Sequence, residues 1–175
     1  IMDRKKKNIS ELTRISEEEY LLIEKNPVSV LADNVRSLYN IGSIFRVGDA
    51  FRIGEIILGG ISGRPPHPEI SKTALGAEHT VAWRWVSDTF EETLRMQKEG
   101  WKICVLEQTH NSTDIKDFRR MEGERYLLVV GNEVQGVDQR IVDMADIVLE
   151  IPQYGTKHSL NVASSASIAI YCMTR

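Results

Sequence analysis

A chain of 175 residues that is 42% hydrophobic and 27% charged is long enough to bury the core of one globular domain. Its net charge of −3 argues against a surface coated with nucleic acid, although a local patch of a few Arg and Lys can still bind phosphates. No apolar run approaches the ~20 residues that span a bilayer, and no apolar stretch of a secretory signal follows the charged start. We therefore expect a cytoplasmic protein with no membrane partner.

The first 26 residues have the pattern of a short extension. They carry a basic cluster, Arg4 to Lys7, followed by Ser16 with Glu19 three positions later. A Ser followed by Glu at that spacing is a capping box, which predicts a short helix. We expect residues 1–26 to form a basic extension with one helix, and residues 27–175 to form the main domain.

From residue 28 onward, short apolar strands alternate with helices. The predicted strands are V-S-V-L-A-D, E-I-I-L-G-G, T-V-A-W-R-W-V, W-K-I-C-V-L-E, R-Y-L-L-V-V and I-V-L-E-I. The predicted helices are N-I-G-S-I-F-R-V-G-D-A-F, H-P-E-I-S-K-T-A-L, a helix capped by Ser87 and stopped by Gly100, D-Q-R-I-V-D-M-A and L-N-V-A-S-S-A-S-I-A-I-Y. This alternation predicts an α/β fold, with a mainly parallel sheet and helices on both faces.

Common cofactor and metal signatures are missing. The first strand is followed by D-N-V-R-S-L-Y-N-I-G rather than G-x-G-x-x-G, and the chain contains no Walker A sequence, which argues against a Rossmann dehydrogenase or a P-loop enzyme. Cys104 and Cys172 lie apart in apolar segments, so we expect buried thiols and neither a disulfide framework nor a metal site.

Three loops follow strands at the edge where parallel sheets bind ligands, namely 33–42, 131–136 and 152–159. In the first loop, Asn40 is placed to cap a helix that contains Arg46, and Gly42 permits close approach of backbone or ligand. The simpler interpretation is a cap and a solvated Arg.

The second and third loops contain further polar residues between glycine and proline turns. In G-N-E-V-Q-G, the glycines permit a tight turn whose amides can hold a small polar ligand beside Glu133, which could also be an ordinary exposed carboxylate. In I-P-Q-Y-G-T-K-H-S-L-N-V, Ser159 is expected to cap the last helix. Asn161 is then a second polar side chain at the same helix start, and capping alone does not explain it.

Together, in this order and spacing, the loops resemble the three motifs of the SpoU/TrmH-type RNA ribose 2′-O-methyltransferases of the SPOUT superfamily. The first segment, which resembles motif one, is N-I-G-S-I-F-R-V-G-D-A-F. The second, which resembles motif two, is L-L-V-V-G-N-E-V-Q-G-V. The third, which resembles motif three, is I-P-Q-Y-G-T-K-H-S-L-N-V-A-S-S-A, and its S-L-N-V is the most specific part. The likeness runs from about Val28 to the last residue. It implies an S-adenosylmethionine-dependent enzyme, a homodimer and a deep trefoil knot near the C-terminal end.

The resemblance also implies roles for particular residues. The implied catalytic residues are Asn40, Arg46, Glu133, Ser159 and Asn161. The implied cofactor-binding residues are Gly131, Asn132, Gly136, Ile151, Pro152, Ser159 and Leu160. Candidate contacts to RNA phosphates are Arg36, Arg64 and Lys157. Arg46, oriented by Asn40 and Glu133, would clamp a phosphate and stabilise the developing alkoxide, because a guanidinium keeps its proton at neutral pH and is a poor base.

The RNA target is less clearly indicated than the chemistry. V-L-E-Q-T-H-N-S with the later E-I-P-Q resembles the branch that methylates a guanosine of the tRNA D-loop, the guanosine-18 type. The tRNA wobble nucleotide and a ribosomal RNA site remain alternatives. So does a protein of another class, a catalytically silent module that binds RNA or the cofactor on the same fold.

Overall fold

The centre of the structure, a computed structural model that describes residues 4–175, is a sheet of seven strands. The strands are β1 (Val28–Asp33), β2 (Ile56–Gly59), β3 (Trp83–Val86), β4 (Trp101–Leu106), β5 (Thr113–Asp114), β6 (Arg125–Val130) and β7 (Ile147–Glu150). Their order is β3-β2-β1-β6-β4-β7-β5, and every neighbouring pair is parallel. The predicted parallel sheet is confirmed. The two-residue β5 was not predicted, because it is too short to carry a pattern.

Seven α-helices surround the sheet in the described residues. They are α1 (Glu17–Leu22), α2 (Leu38–Ala50), α3 (Pro68–Ala74), α4 (Ala77–Thr80), α5 (Thr89–Lys98), α6 (Gln139–Met144) and α7 (Val162–Met173). Two 3-10 turns, Ile9–Leu12 and Ile115–Asp117, complete the assignment. The four-residue α4 was not predicted, since a single turn has no periodicity.

Helices cover both faces of the sheet, as predicted. Alternate residues of a strand point to opposite faces, and in β1 Val30 and Ala32 join a core with α2, α3 and α7, whereas Leu31 joins a core with α5 and α6. The inner strands β1, β2 and β6 are buried on both sides almost throughout, which explains their continuous apolar sequences.

The predicted starts of α5 and α7 are wrong by one or two residues. The cap of α5 is Asp88, whose side chain accepts from the backbone N–H of Glu91 at 3.0 Å, and not Ser87. Helix α7 begins at Val162 rather than Leu160. Ser16 and Glu19 form the predicted capping box of α1, and Gly100 ends α5 with φ +89°.

Gly42 serves helix packing rather than ligand binding. A Cβ at this position would lie 2.3 Å from the carbonyl oxygen of Ile70 and 2.0 Å from Oγ1 of Thr73. Only a glycine therefore lets α2 approach α3 this closely. The close approach that the sequence predicted exists, but its partner is the backbone of a neighbouring helix.

The strand order determines where loops can meet. The chain runs outward from β1 to β3 and then crosses to β4 on the other side, so β1 and β6 are neighbours at the point of reversal. Ala32 pairs with Val130, which places the loops after these two strands side by side. Open parallel sheets bind ligands at such a point.

Several general properties follow from the described residues. Cys104 is buried, and burial raises the pKa of its thiol to about 12, while Cys172 is half-buried. Among residues 4–175, no helix is both long and apolar enough to cross a membrane. In the same residues, no cluster of three or more His, Cys, Asp or Glu side chains could hold a metal ion.

Candidate active site

The loop after β6 is a tight hairpin that exposes backbone groups. Asn132 and Gly136 exchange backbone hydrogen bonds of 3.1 and 2.9 Å, and Oδ1 of Asn132 accepts from the N–H groups of Val134 and Gln135. A Cβ on Gly131 would lie 2.2 Å from the backbone of Gly136, and Gly136 has φ +71°. The two glycines therefore maintain the turn, as their spacing predicted.

Residues after β4 support this hairpin and were not predicted as site residues. Oε1 of Glu107 accepts from the backbone N–H of Val137 at 2.9 Å, against the face of Gly136. Gln108 donates through Nε2 to the carbonyl oxygen of His158 at 2.8 Å, which ties β4 to the loop after β7. Their position in the sequence could have identified them, because both follow β4, which ends at the same edge of the sheet as the other strands that lead to the pocket.

A pocket of about 580 Å³ lies between these loops and the start of α7. Its walls come from four segments: 106–108, 131–136, 149–153 and 158–165. Six of the seven predicted cofactor-binding residues line it: Gly131, Asn132, Gly136, Ile151, Ser159 and Leu160. Pro152 does not line it, although its neighbours Ile151 and Gln153 do.

Three of the predicted catalytic residues form a continuous chain of hydrogen bonds at the pocket. Asn161 donates through Nδ2 to Oδ1 of Asn40 at 3.0 Å, and Asn40 donates through Nδ2 to Oε1 of Glu133 at 3.1 Å. Asn40 is buried, and both of its amide atoms are engaged. These bonds bring together Glu133 and Asn161, which lie 93 and 121 positions from Asn40 in the sequence.

Asn161, and not Ser159, caps the last helix. Its Oδ1 accepts from the N–H groups of Ala163 and Ser164 at 3.0 and 3.2 Å. The predicted cap at Ser159 is wrong, because a helix that begins at Val162 needs its cap at the preceding position. Ser159 is instead exposed at the rim of the pocket.

Glu133 binds the amino-terminal end of α2. Its carboxylate accepts from the backbone N–H groups of Arg36 and Ser37 at 3.1 and 3.0 Å, in addition to Asn40. Burial favours a higher pKa, but these N–H donors outweigh it and hold the pKa of Glu133 below its ordinary value. The cap of α2 is Ser37, so the predicted cap at Asn40 is wrong; Asn40 lies one turn later, inside the helix.

We expect Glu133→Gln to lower the free energy of unfolding by about 1 kcal/mol at neutral pH, a value discounted for the exposure of this side chain. Because the folded-state pKa is lowered, the stabilisation is complete above the unfolded-state pKa and is lost as pH falls through the folded-state value. Urea titrations should therefore show a difference in the free energy of unfolding between variant and wild type that is smaller near pH 3 than at pH 7. Glu122→Gln, at an exposed position, is the control; a gap independent of pH would contradict the assignment.

Arg46 lies apart from the chain of hydrogen bonds. It is exposed, it has no hydrogen bond or ion pair within residues 4–175, and it lines a second cavity beside Tyr20 and Asp49. The expectation that Asn40 and Glu133 orient Arg46 is wrong within one copy, because six helical positions place Arg46 on a different side of α2. The predicted RNA contacts Arg36, Arg64 and Lys157 are all exposed, and Arg64 stacks 4.8 Å from the ring of Trp85.

The chain is similar to known proteins in sequence and in fold. The chain is 28% identical over 167 residues to a tRNA (guanosine(18)-2′-O)-methyltransferase of Aquifex aeolicus, covering 87% of this chain and 77% of that protein. It spans only 5–40% of several other curated relatives. A crystal structure of the A. aeolicus TrmH/SpoU tRNA modifying enzyme superposes with a TM-score of 0.80 at 27% identity, over 90% of this chain and 79% of the other.

A second solved structure, an AdoMet-bound rRNA methyltransferase from Sinorhizobium meliloti, superposes with a TM-score of 0.77 at 26% identity, over 85% of this chain and 56% of the other. The model of the SpoU rRNA Methylase family matches residues 27–171. These residues include β1, β6 and β7 and the loops that follow them, of which 131–136 and the loop after β7 line the pocket. The chain therefore belongs to the SpoU rRNA Methylase family.

Proposed function

We propose that this protein transfers the methyl group of S-adenosylmethionine to a ribose 2′-hydroxyl of RNA, with tRNA favoured over rRNA. The observation that carries the proposal is the hydrogen-bonded chain Asn161–Asn40–Glu133 at the wall of the 580 Å³ pocket. Support comes from the family match, from relatives named as RNA 2′-O-methyltransferases, and from the AdoMet-bound structural neighbour.

The pocket has the surfaces that S-adenosylmethionine requires. Leu106, Leu149 and Leu160 provide apolar walls for an adenine ring, and the hairpin 131–136 presents backbone groups where glycines leave no room for a side chain. The half-buried Gln153 and the exposed Ser159 can meet polar parts of the ligand. Bound there, S-adenosylmethionine would supply a methyl group on a positively charged sulfur.

The protein's own part in the reaction is to hold and polarise the ribose hydroxyl. The ribose oxygen would have to lie in line with the methyl group to be transferred, with the C–S electron pair left on sulfur and the hydroxyl proton passing to solvent water as the C–O bond forms. We assign that placement to Ser159 at the rim and to Asn161, whose orientation is fixed by Asn40 and by its capping bonds. Glu133 positions Asn40 and does not touch the hydroxyl in this scheme.

We propose that Arg46 reaches the reaction from a second copy of the chain. In one copy Arg46 lines a different cavity from the predicted cofactor residues, yet its guanidinium, which has no partner among residues 4–175, suits a phosphate beside the reacting ribose. Helix α7 next to the pocket leaves Ile168 and Tyr171 39% and 41% exposed, which suits an interface between two copies. A homodimer with the two pockets facing α2 of the partner accounts for both observations.

Mixing two impaired variants tests this arrangement, in an assay at an S-adenosylmethionine concentration too low for Gly131→Ala to bind the cofactor appreciably. Arg46→Ala retains its own pocket, whereas Gly131→Ala retains its own Arg46. If Arg46 acts across the interface, a mixture refolded at equal amounts should recover about a quarter of wild-type activity, because half of the dimers are mixed and each has one complete site. Recovery of no activity would contradict the action of Arg46 across the interface. A protein that is monomeric by light scattering at assay concentration would contradict the dimer itself.

The same proposal extends to topology and organisation. We propose that the chain after β7 passes through the loop that precedes it to form the trefoil knot, with residues 27–175 as the methyltransferase domain and 1–26 as an extension. The contact of Gln108 with the carbonyl of His158 and the shared lining of the pocket by 131–136 and 158–161 support this arrangement.

The favoured substrate is the guanosine at position 18 of the tRNA D-loop, in agreement with the name of the A. aeolicus relative. Nucleoside mass spectrometry of bulk tRNA and rRNA from cells that lack the protein should show loss of 2′-O-methylguanosine in the tRNA fraction. Loss of a methylated wobble nucleoside or of an rRNA nucleoside would change the proposed substrate but would still support ribose 2′-O-methylation. An unchanged set of 2′-O-methylated nucleosides would favour a catalytically silent module.

A further inference from the structure

The end of β3 and the loop after β2 expose an aromatic ring beside a guanidinium group. Trp85 is 42% exposed, and the guanidinium carbon of Arg64 lies 4.8 Å from the centre of its ring. The two side chains form one unit, the Trp85–Arg64 pair. Ile61, in the same loop as Arg64, is 65% exposed. A surface that gathers large exposed apolar side chains indicates contact with another molecule, whereas a single exposed side chain does not.

A second pair of the same geometry shows what a structural pair looks like in this fold. The guanidinium carbon of Arg125 lies 4.8 Å from the ring of Trp101, at the amino ends of β6 and β4. That ring is half-buried, and Arg125 also donates through Nη2 to the carbonyl oxygen of Glu99 at 2.6 Å. Arg64, in contrast, is exposed and makes no hydrogen bond or ion pair within residues 4–175, so its donors and its outer face remain available.

Hydrogen bonds hold the Trp85–Arg64 pair at the same edge of the sheet as the pocket. Trp85 is the second-to-last residue of β3 and donates through Nε1 to the carbonyl oxygen of Gly60 at 3.0 Å. The next residue, Ile61, donates its N–H to Oδ1 of Asn34 at 3.1 Å, and the carbonyl oxygen of Asn34 accepts from Nδ2 of Asn132 at 2.8 Å. These links fix the ring relative to the hairpin that contains Asn132.

The strand order gives the distance between the pair and that hairpin. Strand β3 lies three places from β6, and neighbouring strands are about 4.8 Å apart, so the separation is about 14 Å. A stacked nucleic-acid strand advances about 3.4 Å per nucleotide, so RNA whose ribose is in the pocket can reach the pair within a few nucleotides. Helix α7, assigned to the dimer interface, packs on β4 and β6, away from the outermost strand β3.

The charges near the pair suit a nucleobase better than a phosphate. Two carboxylates on adjoining elements offset the charge of Arg64: the exposed Asp88 before α5 and the half-buried Glu69 in α3. Neither forms an ion pair with Arg64 within residues 4–175, and the neighbouring Arg84 is already paired with other carboxylates. A surface with little net charge attracts a phosphate weakly, whereas stacking of a base on a ring or on a guanidinium plane needs no net charge.

We propose that the Trp85–Arg64 pair stacks an unpaired base of the RNA substrate, a few nucleotides from the ribose that is methylated. The inference rests on the proposed function and adds a second point of contact, outside the cofactor pocket. Sequence analysis gave Arg64 a phosphate as its partner; in this proposal Arg64 and Trp85 bind a base. Two contacts on one strand of RNA would fix the position of the reacting ribose better than the pocket alone.

The test measures binding of an unmodified tRNA transcript by fluorescence anisotropy at several salt concentrations. We expect Trp85→Ala to weaken binding about 5- to 150-fold, the effect of one lost base stack, with an unchanged slope of log affinity against log salt because no phosphate contact is removed. Trp85→Phe keeps a ring and loses only the bond to Gly60, so it should retain most of the affinity.

Arg64→Ala should weaken binding about 2- to 5-fold, the effect of one exposed cation–π contact. Arg125→Ala is its matched control, because it removes the same charge from a pair of the same geometry at the opposite edge of the sheet. Calorimetry should show wild-type affinity for S-adenosylmethionine in all of these variants, since none of the changed residues lines the pocket.

The outcomes separate this inference from the proposed function. If wild-type protein methylates the transcript while Trp85→Ala and Arg64→Ala bind it as tightly as Arg125→Ala does, the stack is overturned and the activity stands. Equal losses in Trp85→Phe and Trp85→Ala would also overturn the stack, because the effect would then come from the bond to Gly60. Wild-type protein that methylates no RNA would overturn the proposed function, and RNA binding that still depends on Trp85 would support the stack on a silent module.

Discussion

Replacement of Arg46 by Ala should reduce kcat for RNA methylation by at least about 10²-fold, the usual effect of removing a group that stabilises developing negative charge. Affinity for S-adenosylmethionine should stay within about two-fold of wild type, because Arg46 does not line the pocket assigned to the cofactor. Folding should also be unaffected, since the side chain is exposed and has no partner in residues 4–175. Single-turnover methylation and calorimetric titration of the cofactor measure the two quantities separately.

The Arg46→Lys variant tests whether Arg46 acts through the paired N–H donors of its guanidinium or only through its positive charge. A lysine keeps the positive charge but cannot offer two parallel N–H donors to a phosphate, so we expect this variant to remain nearly as inactive as Arg46→Ala. Near-normal methylation by Arg46→Ala would show that the assigned role is wrong. Recovery by the lysine variant would reduce the role to simple charge attraction.

The second large effect is expected at Gly131. A methyl group there would lie 2.2 Å from the backbone of both Gly136 and Val137, and these backbone atoms cannot rotate aside as a flexible side chain can. The hairpin must shift and would carry Asn132 and Glu133 with it. We expect Gly131→Ala to cost about 1–3 kcal/mol in cofactor binding, which is about 5- to 150-fold in affinity.

Gly155→Ala is the matched control for this substitution. A Cβ on Gly155 meets no atom within 4 Å, although Gly155 belongs to the loop after β7 that leads to the pocket. Cofactor titrations of the two variants should therefore differ clearly. Equal affinity for S-adenosylmethionine in both would contradict the assignment of the hairpin to cofactor binding.

The layout of the fold could be predicted from sequence because its signals are local. Apolar strands such as 125–130, separated by helices with clear caps, indicate a parallel sheet, and a parallel sheet indicates an edge where loops meet. The convergence of Asn40, Glu133 and Asn161 followed from that edge together with the family resemblance. The exact caps did not, because Ser37, Asn40, Ser159 and Asn161 are all competent caps and only the final backbone path selects among them.

What the sequence could not reveal depends on long-range geometry. Glu107 follows a strand like many loop carboxylates, and its bond to Val137 appears only when β4 and β6 are neighbours. Arg46 was grouped with Asn40 because they share a motif, yet the pitch of the helix separates them. The cavity around Tyr20 joins the N-terminal segment to α2 and to residues 74–80, three segments without a shared pattern.

One measurement tests the central claim most directly. Purified protein is incubated with S-adenosylmethionine carrying a labelled methyl group and, in separate reactions, with unmodified tRNA and rRNA transcripts, and the RNA is digested and analysed by mass spectrometry. We predict label on the ribose of one nucleotide, as a 2′-O-methylated nucleoside that resists alkaline cleavage at its 3′ side. Label on a base, or no label in tRNA or rRNA despite bound cofactor, would contradict the account.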